Sequence, residues 1–195
     1  MPDVKHFDPD LTLERALRLF WRRGEAATNI GDIVEATGVN RSSLYNAYGS
    51  KRDLYRAALT RYLERHSQPA FDRLAADGRG LAAVADFFDE LVRARCGGEY
   101  ARWGCLVTNA HLDPAHAEPE IQAVLTAHHQ RLRAALRSAL TAAARAGQLA
   151  PGLDLDATAE QLALVAYGVN MRSRGGAPED ELRRGARAAL AALEP

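Results

Sequence analysis

Cysteine is nearly absent: Cys96 and Cys105 are the only two in 195 residues. Two thiols cannot build a disulfide scaffold, and a cytoplasmic chain keeps them reduced at rest. Net charge is missing as well, with 25 Lys and Arg against 25 Asp and Glu. That balance argues against a nucleic-acid partner only bluntly, because a DNA reader needs no more than a local basic surface. No apolar run approaches the length that spans a bilayer, so no membrane partner is expected. Met1 to Asp10 is polar and acidic, which is unlike a secretory leader. The expected compartment is the cytoplasm. No internal repeat stands out, and Ala richness is the sole bias. Strand-like alternation is absent too. Apolar residues recur at helical spacing almost everywhere, and the expected fold class is all-α.

What is present concentrates in Thr28 to Tyr55, TNIGDIVEATGVNRSSLYNAYGSKRDLY. Asn29 suits an N-cap, with Asp32 adding charge to the first turn. Ile33, Ala36 and Thr37 give a short helix one small, mostly apolar face. Gly38 ends it where a left-handed residue is needed, and Val39 plugs the turn. Asn40 caps a second short helix whose Leu44 faces inward. Arg41, Ser42, Ser43, Tyr45 and Asn46 fall on the N-terminal and outer part of that helix. They offer donors, acceptors and a ring suited to base edges and thymine methyl groups. Gly49-Ser50 breaks the helix, and Ser50 caps the next one. Lys51 and Arg52 then stand at a helix N-terminus, which favours phosphate. Together these features predict a helix-turn-helix that docks in DNA. Arg15, Arg18, Arg22, Arg23, Arg41, Lys51, Arg52 and Arg56 lie among acidic residues and predict a modest basic patch.

The order of these residues resembles the N-terminal domain of TetR-type transcriptional regulators. Ile33, Ala36, Gly38, Val39, Leu44, Tyr45, Tyr48, Ser50, Lys51 and Leu54 carry the resemblance, which extends from about Leu11 to Leu59. Tyr48 stands where Phe is more usual, Gly49 where Pro is, and Ala47 lacks the ring often found there. The resemblance implies about nine helices in two parts. Residues 1–55 form a three-helix DNA-binding domain. Residues 56–195 form a helical ligand-binding and dimerisation domain. It also implies a homodimeric repressor on a near-palindromic double-stranded operator, with the last two helices joining the subunits and an inducer of unknown identity. Asn29, Tyr48 and Lys51 become candidates for phosphate contacts. A two-fold protein reads half-sites about 34 Å or more apart.

The rest of the chain reads as helices between Gly and Pro breaks. Met1 to Pro9 is expected as an arm, and Asp10 or Thr12 opens the first helix, with Leu13, Ala16, Leu17 and Phe20 inward. A long helix runs from Lys51 to about Ala76, and another from Leu81 to about Arg95. A short helix covers Trp103 to Leu112. A long one from Pro119 to about Arg145 carries Ile121, Val124, Leu125, His128, Leu132, Ala135, Leu136 and Leu140. Helices over Asp156 to Arg174 and Pro178 to Leu193 show more apolar width than one small domain needs.

A ligand pocket is expected to draw on Phe87, Phe88, Leu91, Trp103, Cys105, His128, Tyr167, Asn170 and Met171, although rings at helical spacing also suit an ordinary core. Trp103-Gly104-Cys105-Leu106, with Asn109 four residues after the Cys, resembles a TetR-type subgroup in which some members sense electrophiles or oxidants through the thiol. Cys105 as a small buried residue beside Trp103 and Leu106 is the competing interpretation. Paired with His128 or His129, it is also the starting point for a different class, a thiol- or metal-dependent helical-bundle enzyme. No nucleophile–base pair follows from spacing, and His111, His116, His128 and His129 fit no standard metal site. The expectation is therefore no enzyme, no metal and no cofactor.

Overall fold

The computed structural model describes residues 7–195, and every regular element among them is helical. Side-chain caps set the first quarter. Asp8 accepts from the N–H groups of Asp10 and Leu11, so α1 starts at Pro9 and runs Pro9–Arg23. This is earlier than the expected Asp10 or Thr12, because Pro at the first position costs no hydrogen bond. Of the expected arm, residues 1–6 lie outside the described residues. Helix α2, Ile30–Thr37, opens on a full capping box: Asn29 Oδ1 accepts from Asp32 N–H at 3.0 Å, and Asp32 Oδ2 from Asn29 N–H at 2.8 Å. Gly38 closes it at φ 73°. Helix α3, Arg41–Tyr48, is capped by Asn40, and α4, Lys51–Tyr62, by Ser50. Ile33, Thr37, Val39 and Leu44 are buried as expected, but Ala36 faces solvent.

The expected long helix is interrupted. After α4 the chain makes a π-helical turn, Leu63–Ser67, and continues as α5, Gln68–Ala76. Pro69 supplies a reason: a proline ring inside an α-helix collides with the carbonyl four residues earlier, and a wider turn relieves it. The buried positions keep one face across the turn, with a step of five between Tyr62 and Ser67 and then Phe71 and Leu74. With α4 and α5 taken as one rod, the described chain has nine α-helical rods. The rest are α6 (Leu81–Cys96), α7 (Leu106–Ala110), α8 (Pro119–Arg145), α9 (Leu155–Arg174) and α10 (Glu179–Ala191). A 3-10 turn, Pro114–Ala117, precedes α8.

Helix α7 is shorter than the expected Trp103–Leu112. Arg102 (φ 64°) and Gly104 (φ 69°) adopt left-handed backbone, which keeps Trp103 and Cys105 outside the helix. Cys105 is its N-cap position, in extended conformation.

Two large apolar cores result, beside a small cluster of Val92, Val169 and Leu182. One joins α1, α2 and α4 to α7 and the start of α8, around Leu17, Phe20, Trp21, Tyr55 and Tyr62. The other packs α5, α6, α8, α9 and α10 around Val84, Phe88, Leu136 and Leu162. Trp21 ties the halves together. Its Nε1–H donates to Gly104 O at 3.0 Å, and its ring packs at 4.8 Å from both Tyr62 and Tyr100.

Candidate functional site

At the N-terminal end, α3 presents its outer face to solvent. Arg41, Ser42 and Asn46 are exposed, Ser43 and Tyr45 partly so, while Leu44 anchors the opposite face at 2 % exposure. The Arg41 guanidinium lies over the Tyr45 ring at 5.4 Å. Ser42 Oγ donates to Asn40 Oδ1 at 2.8 Å, and Ser43 N–H donates to the same oxygen. The five residues expected to face bases therefore share one short surface. Asn29 is exposed, and its amide oxygen serves the cap of α2.

Tyr48 and Lys51 are placed differently from the other polar candidates. The Tyr48 hydroxyl donates to Pro9 O at 2.8 Å and pins α3 to the start of α1; burial raises its pKa. Lys51 directs its ammonium inward, to Glu25 O at 3.0 Å, Thr28 O at 2.9 Å and Glu25 Oε1 at 2.9 Å. All three of its hydrogens have acceptors, so a phosphate contact requires that cluster to open. We expect Lys51→Ala to lower stability by about 1–2 kcal/mol, while the salt slope of DNA binding stays at the wild-type value. A slope reduced by about one would return Lys51 to the phosphate contacts.

Most of the expected basic patch is already paired. Arg23 meets Asp32 at 3.1 Å, Arg52 meets Glu118 at 3.2 Å, and Arg56 pairs with Asp53 and Glu120. Arg15 caps the carbonyl of Thr37 at 3.0 Å. Arg22 and Arg41 form no ion pair among the described residues, which leaves a small positive surface rather than a stripe.

The end of α1 is gripped from the second half of the chain. Asp113 Oδ2 accepts from the N–H groups of Glu25 at 2.8 Å and Ala26 at 3.0 Å, while its Oδ1 accepts from Ala115 N–H. Arg174, at the end of α9, donates to the carbonyls of Trp21 at 3.3 Å and Arg22 at 3.1 Å. A cation on the last carbonyls of a helix is also favoured by its dipole. Sequence inspection missed both, since neither spacing nor composition links residues some 90 to 150 apart.

In the C-terminal half a cavity of about 190 Å³ lies among α5, α6, α8 and α9. Of the nine expected ligand residues, Phe87, Leu91, Cys105, His128, Tyr167 and Asn170 line it. Phe88 does not; it is 2 % exposed in the core. Trp103 does not either, and packs instead edge-on to Trp21 and tilted against Tyr100. Met171 lines a neighbouring open groove, which shares Thr108 and Tyr167 with the cavity. Arg95 and Thr108 were not expected and line the cavity. A cation four residues after Leu91 on α6 was the available clue to Arg95. The Tyr62 hydroxyl and the Arg95 guanidinium lie beside the Cys105 thiol. Burial pushes the Tyr62 hydroxyl well above the ordinary phenol range and lowers His128 to about 4, so its imidazole is neutral near pH 7. Among the described residues no group of three or more His, Cys, Asp and Glu side chains is placed to hold a metal ion. No described helix is long and apolar enough to cross a membrane.

The rest of the Trp103–Asn109 segment has structural work. Asn109 Nδ2 donates to Trp103 O at 2.8 Å. A Cβ on Gly104 would come within 3.0 Å of both Asn109 Oδ1 and Asn170 O.

Comparison with known proteins agrees with both ends of the molecule. A family model described as bacterial regulatory proteins, tetR family, matches residues 13–58. A second, described as the tetracyclin repressor-like C-terminal domain, matches residues 80–189. The chain is 29 % identical over 179 residues to the HTH-type transcriptional repressor ComR of Escherichia coli, covering 91 % of this chain and 85 % of that protein. It is 34 % identical over 155 residues to the uncharacterized HTH-type transcriptional regulator YezE of Bacillus subtilis, covering 80 % and 79 %. A solved complex of a cysteine mutant of the TetR family regulator CifR with 26-base-pair double-strand operator DNA superposes at a TM-score of 0.84. Its identity is 31 %, and the match covers 97 % of this chain and 98 % of that one.

Proposed function

Because the chain belongs to the tetR family of bacterial regulatory proteins, we propose that it is a homodimeric transcriptional repressor released from a near-palindromic operator by a small molecule or electrophile. The observation that carries the DNA role is the outer face of α3, a short exposed surface of Arg41, Ser42, Ser43, Tyr45 and Asn46 held rigid by two caps and by Leu44. These side chains face base edges in the major groove. Asn29 and the N-terminus of α4 take phosphate. The DNA-binding domain ends near residue 55, inside α4, and residues 56–195 bind the ligand and the second subunit.

Two features support the dimer. Helix α9 exposes Gln161, Leu164, Gly168 and Met171 at steps of three and four, with Leu164 60 % and Met171 50 % exposed. Helix α10 exposes Gly185 and Ala188 at the same rhythm, and Ala192 follows just past its end. A second apolar or small-residue stripe on each of two adjacent helices is the pattern of a bundle with its copy.

The cavity supports the signal. Cys105 lies on its wall, and Asp113 and Arg174 link the elements around it to the end of α1. A ligand that favours one arrangement of α9 thereby favours one position of the reading heads. Coupling of this kind amounts to about 1–3 kcal/mol.

The test is binding of the purified protein to DNA flanking its own gene, with DNA selected from random duplexes if that fragment is not bound. Two protomers per site and an affinity that falls steeply with salt are expected. Tyr45→Ala is expected to weaken specific binding about tenfold or more while barely changing non-specific binding. Equal loss on both would move Tyr45 to the backbone contacts, and no duplex bound at low salt would end the repressor reading.

A further inference from the structure

The cavity's polar groups do not balance. Its volume, about 190 Å³, slightly exceeds the roughly 150 Å³ of an apolar cavity that accepts benzene. One ring or short chain with one polar group fills such a space. Much of its wall is apolar, with Phe71, Phe87, Leu91 and Leu132. Against this stands Arg95. Its Nε donates to Asn170 Oδ1 at 2.5 Å and its Nη2 to the Tyr62 hydroxyl at 3.0 Å. These account for two of its five N–H groups, and it forms no ion pair among the described residues. The Tyr62 hydroxyl and the Cys105 thiol face its charge, its guanidinium lies 6.0 Å from the centre of the Trp21 ring, and no carboxylate is paired with it among the described residues. Glu90, on the same wall, is bound to Arg73 at 3.0 Å.

Two further groups on this wall lack partners altogether. Thr108 Oγ1 and His128 Nδ1 make no hydrogen bond, and their residues are only 5 % and 4 % exposed. Buried polar atoms without partners are rare and costly, and a cation without a counter-charge in an apolar wall adds to that cost. The Thr108 hydroxyl can donate, and so can His128 Nδ1 in the tautomer that carries its proton there, so both can join the guanidinium on one acceptor, and the guanidinium asks for one carrying negative charge. A neutral ligand leaves the guanidinium unbalanced. A cation is repelled by it. A phosphate has no apolar body for the rest of the wall.

We propose that the cavity binds a small apolar carboxylate, an organic acid about the size of benzoate, with its carboxylate on Arg95, Thr108 and His128 and its body against Phe71, Phe87 and Leu132. This deepens the ligand-responsive part of the function proposed above and rests on it only for the consequence at the operator.

The full-length protein is titrated by calorimetry with benzoate, phenylacetate and hexanoate, each beside its neutral amide, while operator binding is followed in parallel. At least one acid binds about tenfold or more tightly than its amide, as expected for a charge-assisted contact. Arg95→Gln reduces that acid to the level of its amide. Thr108→Val, nearly isosteric, weakens it severalfold and keeps the test available if Arg95→Gln fails to fold. Binding of acids and amides alike, binding of none of the three acids, or undiminished discrimination in a folded Arg95→Gln overturns the proposal. If an acid binds but leaves the operator occupied, the site stands and the ligand-released repressor fails. If an amide alone releases the operator, the repressor stands and the carboxylate site fails.

Discussion

Replacing Asp113 by Ala is expected to lower stability by about 3 kcal/mol or more, the largest effect of any single polar side chain here. The carboxylate is 8 % exposed and accepts three backbone hydrogen bonds, two of them from Glu25 and Ala26 across the junction of the two halves. A hydrogen bond to an ionised group contributes about 1.5–3 kcal/mol, and removing the acceptor also strands the donors. Those donors lie just beyond α1, immediately before the cap of α2. The loss therefore falls on the position of the helix-turn-helix as well as on stability. Chemical denaturation measures the first, and operator affinity on the folded variant the second. Asp113→Asn is the graded control. Its single acceptor oxygen can hold Glu25 and Ala26, but its amide nitrogen then faces the Ala115 N–H. An Asp113→Ala protein as stable as wild type would show that the junction is held by the packing around Trp21 and by Arg174 without this carboxylate.

Gly80→Ala is the second large effect, about 3 kcal/mol. Gly80 has φ 70° and ψ −124°, a region that side-chain-bearing residues avoid at a cost of about 1–3 kcal/mol. Its site also has no room. An added Cβ would lie 2.7 Å from Ala143 Cα and 2.2 Å from Gln148 Oε1. Gln148 is flexible, but that oxygen accepts from Leu81 N–H at 2.9 Å and so serves as the cap that Gly80 itself cannot provide for α6. Moving it frees a helix-terminal donor, and moving the α8 backbone disturbs the core. Gly78→Ala, two residues away with nothing within 4 Å of its added Cβ and no positive φ, is expected to stay within about 0.5 kcal/mol of wild type. Thermal melts of the pair separate a crowding effect from a general loss of loop entropy.

The sequence made the N-terminal quarter legible because its signals are local. A cap, an i+3 carboxylate and a terminating glycine act within one or two turns, and Asn29, Gly38, Asn40 and Ser50 stand where those rules put them. Ala36 shows the limit: helical phase made it inward, but the buried face of α2 is only as wide as the line of Ile33 and Thr37. The long α8 was legible for another reason, since a 27-residue helix averages its stripe over many turns. The left-handed Arg102 gave no warning, so α7 was drawn too long. The cavity was half legible. Phase and residue type selected Phe87, Leu91 and His128, but Trp103 and Phe88 have the same chemistry and a different address. Asp113 was out of reach and Arg95 was marked only by its spacing from Leu91, because a charged residue is ordinarily solvated and only its tertiary partners say otherwise.

The π-helical turn has a consequence for how the chain tolerates changes of length. Its five-residue step between Tyr62 and Ser67 means that the rod from Lys51 to Ala76 carries one surplus residue, absorbed without rotating its two ends against each other. Loss of one residue from within that turn restores a step of four and leaves both buried faces in phase, with Pro69 then kinking the rod instead. The same loss anywhere else in the rod swings one end by about 100° around the axis. Indels are therefore not equivalent along this helix. The distance between the DNA-facing end and the cavity is counted in whole turns, and this one turn is where the count has slack.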